Sequence, residues 1–166
     1  MYSIEIRLAH TQQELEAMYY QRWLVLRSPL GMEQGTEKDK FDESCSHLIA
    51  ICGYQITALA APDTAPYVVG SARLRELSSE LGSIAYLAVL PEFQHQGIGT
   101  ALVKRLTEIA RQKTLRCLRV MTRTSALKFY QRLGFIEKGE PHDYLGIPHS
   151  FMYLNLPSSP DTEASP

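Results

Sequence analysis

The sequence has few cysteines, almost no net charge and no long apolar run. Its three cysteines, Cys45, Cys52 and Cys117, cannot all pair and form no Cys-x-x-Cys motif. We therefore predict no disulfide scaffold and no metal site, and a reducing cytoplasm as the compartment. No stretch approaches the roughly 18 apolar residues of a membrane-spanning helix. We also expect no signal peptide, because the N-terminal residues lack a basic start followed by an apolar run.

Positive and negative charges nearly cancel, with 17 Lys and Arg against 18 Asp and Glu. A dedicated nucleic-acid binder carries a basic excess, so this class of protein is disfavoured. The hydrophobic share of 45% and the charged share of 21% exclude a wholly disordered or low-complexity chain. The length of 166 residues predicts one domain, placed at residues 1–157. Residues 158–166, rich in Ser, Pro and Asp, are predicted to form a disordered tail.

The spacing of apolar residues predicts a mixed α/β domain. Alternation over residues 4–8 predicts a strand, and Thr11 with Glu14 has the capping-box spacing of a helix that runs to about Arg27. The remaining predicted elements are strands 47–52, 67–77 and 84–90, a helix around 98–109, a strand over 115–121, a short helix over 126–133, and strands 135–138 and 151–156. This order indicates hairpins in the first half and crossover helices in the second.

The most informative segment is a glycine turn between a predicted strand and a predicted helix. The strand ends at Pro91, and Gly97 and Gly99 stand in the turn before the helix. The first N–H groups of a helix have no internal acceptors and carry the positive end of its dipole. Glycines let an anionic ligand come close to this backbone, which suits a pyrophosphate.

Other readings of this turn stay open at the level of the residues. It could be a tight connection without a ligand, or part of another kind of phosphate-binding α/β domain. A dinucleotide fingerprint fits poorly because Leu102 stands where its third glycine would be. A Walker A loop fits worse because no Gly-Lys-Ser/Thr follows.

The segment Gln94-His-Gln-Gly-Ile-Gly resembles the cofactor loop of the GNAT acetyltransferases, and Leu87, Val89 and Pro91 match the Leu-x-Val-x-Pro that precedes it. The resemblance implies a GNAT-type acyl-CoA N-acyltransferase fold, a central mixed sheet flanked by helices, with acetyl-CoA as cofactor. It further implies a bulge around residues 87–89, and the Val89 N–H as donor to the oxyanion of the reaction. The implied cofactor-binding residues are Leu87, Ala88, Val89, Gln94, His95, Gln96, Gly97, Ile98, Gly99, Thr100 and Tyr130.

A second segment, Ala126-Leu-Lys-Phe-Tyr-Gln-Arg-Leu-Gly-Phe, matches the GNAT pattern Ala-x-x-Phe-Tyr-x-x-x-Gly-Phe without a gap. The resemblance implies that Tyr130 is the general acid for the leaving thiolate. The alternative is that Phe129 and Tyr130 are core aromatics only. One departure is Arg123, where many members carry Asn. An arginine there could contact a phosphate of the cofactor or be solvated.

The base that takes the proton of the attacking amine is not evident. Residues 83–90 contain no acid or histidine, although many GNAT proteins carry a Glu on this strand. His149 is a candidate for the base or an acceptor contact, unless it is a structural histidine. Arg27 is a candidate contact for an acidic acceptor group, unless it holds the following loop. The other candidate bases are Glu76, Glu80, His47 and His142.

The resemblance, which extends to small bacterial GNAT proteins, implies an acetyl-CoA-dependent N-acetyltransferase. It would transfer an acetyl group to a primary amine by direct attack in a ternary complex. The acceptor is expected to be a small-molecule amine or a protein amine, with no nucleic acid or membrane partner. Asp39, Asp42 and Glu43 make one loop acidic, which would favour a cationic amine unless they are simply solvated. Because members of this fold often dimerise, the resemblance makes a homodimer possible for this chain. The alternative is a non-catalytic acyl-CoA-binding module on the same fold.

Overall fold

A computed structural model describes residues 2–54 and 65–158 of the chain. The strands are β1 (Tyr2–Leu8), β2 (Ser46–Tyr54), β3 (Val68–Glu76), β4 (Leu81–Val89), β5 (Cys117–Arg123), β6 (Ile136–Tyr144) and β7 (Ile147–Asn155). The helices are α1 (Gln12–Leu26), α2 (Ile98–Gln112) and α3 (Leu127–Arg132), with 3-10 turns at Ser28–Leu30, Asp42–Ser44, Pro91–Phe93 and Thr124–Ala126. The predicted hairpin connection around residues 54–66 and the predicted tail lie almost wholly outside the described residues.

The described strands form one seven-stranded sheet in the order β1-β2-β3-β4-β5-β7-β6. Strands β4 and β5 are parallel, and every other neighbouring pair is antiparallel. Helix α2 makes the crossover between β4 and β5, which a parallel pair requires. The prediction of a mixed α/β sheet flanked by helices is therefore confirmed.

Helices α1 and α2 cover opposite faces of the sheet. On β2, Leu48 and Ala50 belong to the buried cluster that includes Leu102 of α2, while Ile49 between them packs with Met18 of α1. Because successive residues of a strand point to opposite faces, this alternation assigns one helix to each face. The cleft described below opens in the middle of this three-layer arrangement.

The first helix begins as the sequence predicts. Thr11 Oγ1 accepts a hydrogen bond from the Glu14 N–H at 3.1 Å, and Glu14 Oε2 accepts one from the Thr11 N–H at 3.3 Å. This reciprocal pair is the predicted capping box, and it satisfies two of the otherwise unpaired groups of the helix start. The hydrogen bond from Arg7 has the strongest influence on the pKa of Glu14. Together with the hydrogen bonds from the His10 and Thr11 N–H groups, it outweighs the effect of burial and lowers this pKa to about 2.

The last two strands differ from the prediction. The structure extends them to β6 and β7 and joins them through Leu145 and Gly146, both with positive φ (54° and 74°). The Ile147–His149 segment, predicted to precede the last strand, is therefore the beginning of it. Nearly every residue of β6 is exposed, so its sequence carries no alternation of buried and exposed positions that could reveal its length.

Strand β5 also begins later than predicted. The Leu115 N–H donates to the Ala110 carbonyl at 3.0 Å, so Leu115 closes the end of α2 instead of joining the ladder. Within residues 2–54 and 65–158, no helix combines the length and apolarity that crossing a bilayer requires.

Candidate functional site

A cleft opens where β4 and β5 separate. Their parallel pairing ends at Ile84 and Val120, although β4 continues to Val89 and β5 to Arg123. The cleft has a volume of about 770 Å³. Its lining comes from the diverging halves of β4 and β5, the end of α1, α3, and the β6–β7 hairpin.

The separation begins at a bulge in β4. Tyr86 and Leu87 together oppose the single residue Ala72 of β3, because the register shifts between the pairs Ser71–Ala88 and Arg73–Ala85. Tyr86 has φ of 53°, in the left-handed region that a bulky side chain seldom adopts. A bulge bends its strand, so β4 turns away from β5 at this point. The resemblance places the bulge around residues 87–89, and the structure has it at Tyr86 and Leu87.

The backbone of Val89 faces the gap left by β5. The Leu90 N–H donates to the Val69 carbonyl at 2.8 Å, which makes Leu90 and Val69 a hydrogen-bonded pair of the antiparallel ladder. The neighbouring pair Val89–Gly70 is then of the non-hydrogen-bonded kind, whose N–H and C=O groups point away from the partner strand. The Val89 carbonyl accepts from Gln94 Nε2 at 2.9 Å, and the Val89 N–H shares this open side.

The glycine turn follows directly and begins α2. Gly97 is the residue before the first helical turn, with φ of 82°, and no side chain of the described residues caps this end. A Cβ added at Gly97 would meet no atom within 4 Å, so the backbone is open to a ligand. Uncapped N–H groups at the start of a 15-residue helix, reached through open space, fit an anionic phosphate. This is the donor set that the pyrophosphate of acetyl-CoA requires.

Three of the predicted cofactor residues line the cleft, and the others lie in β4, the glycine turn and the first turn of α2. The three that line it are Leu87, Gln94 and Tyr130, and His95, Gln96 and Gly97 are exposed in the turn. Gly99 lies close to the cleft-lining Phe129, since a Cβ there would lie 3.5 Å from Phe129 and 3.9 Å from Val89. Ile98 and Ala88 are buried, and Thr100 is half-buried in the first turn of α2.

Tyr130 sits at the junction of cleft and core. Only 4% of it is exposed, and its ring contacts Phe129 and Phe135 edge-on at centroid distances of 4.9 and 5.4 Å. Its hydroxyl makes no hydrogen bond to the described residues, although it belongs to the cleft lining. Burial raises the pKa of Tyr130 well above 10. The phenol is thus held protonated, in the form that can donate.

The acceptor candidates Arg27 and His149 both line the cleft. The Arg27 guanidinium donates from Nε to the Thr36 carbonyl at 3.0 Å and from Nη1 to the Leu26 carbonyl at 3.3 Å, so it holds the following loop. His149 is 7% exposed, and its Nδ1 lies 2.8 Å from the Ile147 carbonyl. A carbonyl only accepts, so Nδ1 carries the proton, and the Nε2 of the neutral ring is an acceptor.

Of the five candidate bases, His149 lines the cleft and the other four do not. Glu76 and Glu80 form exposed ion pairs with Lys113 and Arg116, both at 3.5 Å. His142 stacks on Phe151 at 5.1 Å, and His47 belongs to a buried ionic cluster. The structure therefore leaves His149 as the candidate base of this set.

The buried ionic cluster was missed by sequence reasoning. It comprises Arg22, Asp39, Asp42, His47 and Arg73. Arg73 Nη1 lies 2.8 Å from Asp39 Oδ1 and 3.0 Å from Asp42 Oδ1. Burial would raise the pKa of Asp39, but hydrogen bonds from Arg73 and the Phe41 N–H outweigh it and lower that pKa. The available signal was Arg73 itself, a charged residue between the core positions Ala72 and Leu74.

The cluster fixes the bulge. The Tyr86 ring is surrounded by three guanidinium groups, whose central carbons lie 4.3 Å (Arg22), 4.7 Å (Arg73) and 5.7 Å (Arg27) from the ring centroid. The Tyr86 hydroxyl donates to Asp39 Oδ2 at 3.3 Å. Burial, followed by the charge of Asp39, raises the pKa of Tyr86. These contacts join the bulge to α1 and to the acidic loop, which explains how Tyr86 holds an unfavourable φ.

The splayed parallel pair, the β4 bulge and the uncapped glycine turn define a class of single-sheet α/β proteins that hold a phosphate-bearing cofactor between two strands. Residues 12–135 match the Acetyltransferase (GNAT) family, and the chain belongs to that family. Acetyl-CoA is the cofactor of the family, as predicted, and the chain is an N-acetyltransferase by this membership.

Individual relatives agree with this assignment. The chain is 42% identical over 81 residues to an amino-acid acetyltransferase of Mycobacterium tuberculosis, a match that spans 48% of this chain and 45% of that one. An acyl-CoA N-acyltransferase from Pseudomonas aeruginosa superposes with a TM-score of 0.72 at 21% identity, covering 91% and 99% of the two chains. A GNAT acetyltransferase from Elizabethkingia anophelis with acetyl-CoA bound gives 0.65 at 20% identity, covering 92% and 98%.

Proposed function

We propose that this protein acetylates a primary amine by direct attack on acetyl-CoA within a ternary complex. The observation that carries the proposal is the Val89 N–H on the open side of β4, next in the strand to the cleft that Leu87 and Tyr130 line. Bound acetyl-CoA supplies an acetyl thioester whose carbonyl an amine can attack. The Gln94–Thr100 turn would hold its pyrophosphate, and the open edge of β4 would pair with its pantetheine arm.

Three groups of the chain would share the chemistry. The Val89 N–H donates a hydrogen bond to the oxygen that gains negative charge, where a preorganised donor stabilises the transition state. Tyr130 donates its phenolic proton to the departing sulfur, and burial keeps that proton in place beforehand. His149 Nε2 accepts the proton that the attacking amine must lose. One proton is thus taken and one given in each transfer.

The wider setting of the protein forms part of the same proposal. Residues 1–157 act as one transferase domain, within which the family match falls. A cytoplasmic location is supported by the three free cysteines, Cys45, Cys52 and Cys117. A protein amine as acceptor and a homodimeric state stay predictions.

A non-catalytic acyl-CoA-binding module is the second candidate function. Strand β4, Leu81–Val89, carries no acid or histidine, which is the observation that favours it. Measurements of acetyl-CoA binding and of acetyl transfer distinguish the transferase from the binding module. Acetyl-CoA should raise the melting temperature, because a ligand that binds only the folded state stabilises it. A panel of primary amines should then release free CoA in the presence of the protein.

Two results would count against the transferase. The absence of any thermal stabilisation by millimolar acetyl-CoA would exclude the cofactor site. Stabilisation without transfer to any amine of a broad panel would favour the binding module. The variant His149→Gln tests the base, since it should lower the transfer rate and leave the acetyl-CoA stabilisation intact.

A further inference from the structure

The cleft is lined by four arginines and a single carboxylate. Among the described residues that surround it, the cationic side chains are Arg27, Arg73, Arg119 and Arg123, and the acid is Asp39. Asp39 already forms an ion pair, because Arg73 Nη1 lies 2.8 Å from its Oδ1. The cleft therefore carries positive charge that its own side chains do not neutralise.

Arg119 differs from the other three in combining partial burial with the lack of any polar partner among the described residues, since Arg123 is solvent-exposed and Arg27 and Arg73 donate to the protein. Its Nε is buried without a hydrogen-bond partner, and within residues 2–54 and 65–158 its guanidinium forms no ion pair. The guanidinium rests on the ring of Phe151, 5.0 Å from the centroid. A contact with a ring face uses none of the guanidinium N–H groups as hydrogen-bond donors, so they stay available to an acceptor.

The position of Arg119 separates it from the glycine turn. Leu118 and Val120, its neighbours on β5, belong to the core cluster that includes Leu102 of α2. By strand alternation Arg119 points to the opposite face, the face that α1 covers. The glycine turn begins α2 and lies with that helix. The Arg119 side chain is therefore placed on the acceptor side of the sheet and away from the pyrophosphate site.

Arg119 is half-buried, its buried Nε–H lacks an acceptor, and a carboxylate is the group best suited to accept from it. A buried polar group that makes no hydrogen bond loses its solvation without compensation. The planar N–H fork of arginine matches the two oxygens of a carboxylate. Arg73, in contrast, already contacts the carboxylates of Asp39 and Asp42. Arg119 carries the same guanidinium group as Arg73, but no carboxylate of the described residues pairs with it.

We propose that Arg119 binds a carboxylate of the acceptor, and that the acceptor is a small molecule carrying both a primary amine and a carboxylate. The inference rests on the proposed N-acetyltransferase function and specifies its substrate class. Arg119 is a binding residue for this substrate. It fixes the end of the acceptor that does not react, so that the amine is left to approach the cofactor.

Matched acceptors test the substrate class in the wild-type protein. Each of a set of L-amino acids is compared with its carboxamide and with the amine that lacks the carboxyl group, and CoA release is followed at saturating acetyl-CoA. The carboxylates should be used with kcat/KM about 10- to 100-fold above their neutral counterparts, the range expected for charge-assisted hydrogen bonds. Because no substitution is involved, this comparison is independent of folding.

Substitution at Arg119 then tests the residue. Arg119→Gln should raise KM for the carboxylate acceptors by a similar factor. It should change neither KM for the neutral acceptors nor KM for acetyl-CoA. Arg119→Lys should recover part of the loss. The control is Arg116→Gln, since Arg116 is a solvent-exposed residue just before β5 that pairs with Glu80. It should alter none of these constants.

The outcomes distinguish this inference from the function on which it rests. Equal use of neutral and carboxylate acceptors overturns the inference while the N-acetyltransferase function stands. A higher KM for acetyl-CoA in Arg119→Gln, with unchanged discrimination among acceptors, assigns the arginine to a cofactor phosphate and likewise overturns it. Transfer to no acceptor, with acetyl-CoA bound, overturns the proposed function and this inference together.

Discussion

Arg22 Nη1 donates to Asp42 Oδ1 across 3.0 Å, and this buried ion pair ties α1 to the loop that precedes β2. Arg22 is fully buried and Asp42 is 4% exposed. Arg73 of β3 approaches the same carboxylate oxygen, also at 3.0 Å. One carboxylate therefore connects a helix, a loop and a strand directly behind the bulge that shapes the cleft.

The variant Asp42→Asn is expected to be strongly destabilising. It removes the carboxylate charge that Arg22 and Arg73 both contact, and removal of one partner from a buried ion pair costs about 3–5 kcal/mol. The free energy of unfolding from urea denaturation measures the loss. The control is Glu108→Gln, which removes an exposed pair with Arg105 and should cost less than about 1 kcal/mol. Similar losses in the two variants would contradict a structural role for the cluster.

His47 is expected to make the protein less stable as the pH falls below 6.5. Its Nε2–H donates to the Asp42 carbonyl at 2.7 Å, and its Nδ1 lies 3.3 Å from Arg22 Nη2, which can only donate. The ring is therefore neutral in the folded state. Burial, together with the charge of Arg22, lowers the pKa of His47 below the ordinary value of 6.5. Below pH 6.5 the unfolded chain therefore binds a proton at His47 more readily than the folded chain does, and the free energy of unfolding decreases as the pH falls.

Melting temperatures between about pH 7 and pH 5.5 test this expectation, in a range where histidines titrate and most carboxylates do not. His47→Gln should flatten the decrease, because glutamine can replace the hydrogen bonds without titrating. His10→Gln removes an exposed histidine and serves as the control. An unchanged slope in His47→Gln would show that the pH dependence arises elsewhere.

The elements that the sequence predicts well are those with local signals. Thr11 and Glu14 mark the start of α1 through a contact three residues apart, and α2 shows a clear apolar face. The end of β6 and the start of β7 were missed, because an exposed edge strand such as β6 has no buried face to impose a pattern. The late start of β5 depends on a single backbone hydrogen bond from Leu115 to Ala110, which no residue type announces.

The residues of the candidate site also fall into those with a local sequence signal and those without one. The Gln94–Thr100 turn and the Tyr130 helix were found from contiguous motifs, and both lie at the cleft. The ionic cluster was missed because Arg22, Asp42 and Arg73 are distant in sequence and meet only in the folded chain. Arg119 was missed for a related reason. On a strand with alternate core residues, an outward arginine looks like a solvated one until the cleft beside it is known.

Gly97→Ala is expected to weaken acetyl-CoA binding more than it weakens the fold. Gly97 and Gly139 both have φ of 82°, and a Cβ added at either would meet no atom within 4 Å. Both alanine variants should therefore lose a similar stability, about 1 kcal/mol, from the left-handed backbone. Only Gly97 lies in the turn that begins α2, where an added Cβ would occupy the open space through which a phosphate reaches the helix N–H groups. Only Gly97→Ala should therefore raise KM for acetyl-CoA, by about tenfold if the obstruction weakens one charge-assisted hydrogen bond. Equal KM values in the two variants would remove this turn from the cofactor site.

Tyr130→Phe is expected to reduce kcat by about 10²- to 10⁴-fold, the usual contribution of a general acid. Phenylalanine keeps the ring contacts with Phe129 and Phe135, so the melting temperature and the acetyl-CoA stabilisation should change little. Because burial raises the pKa of Tyr130 above 10, its titration should cause no loss of wild-type activity as the pH approaches 10. Tyr20→Phe, at an exposed position on α1, controls for removal of a tyrosine hydroxyl as such. A kcat unaffected by Tyr130→Phe would show that the thiolate leaves without this acid, and that the tyrosine serves the core alone.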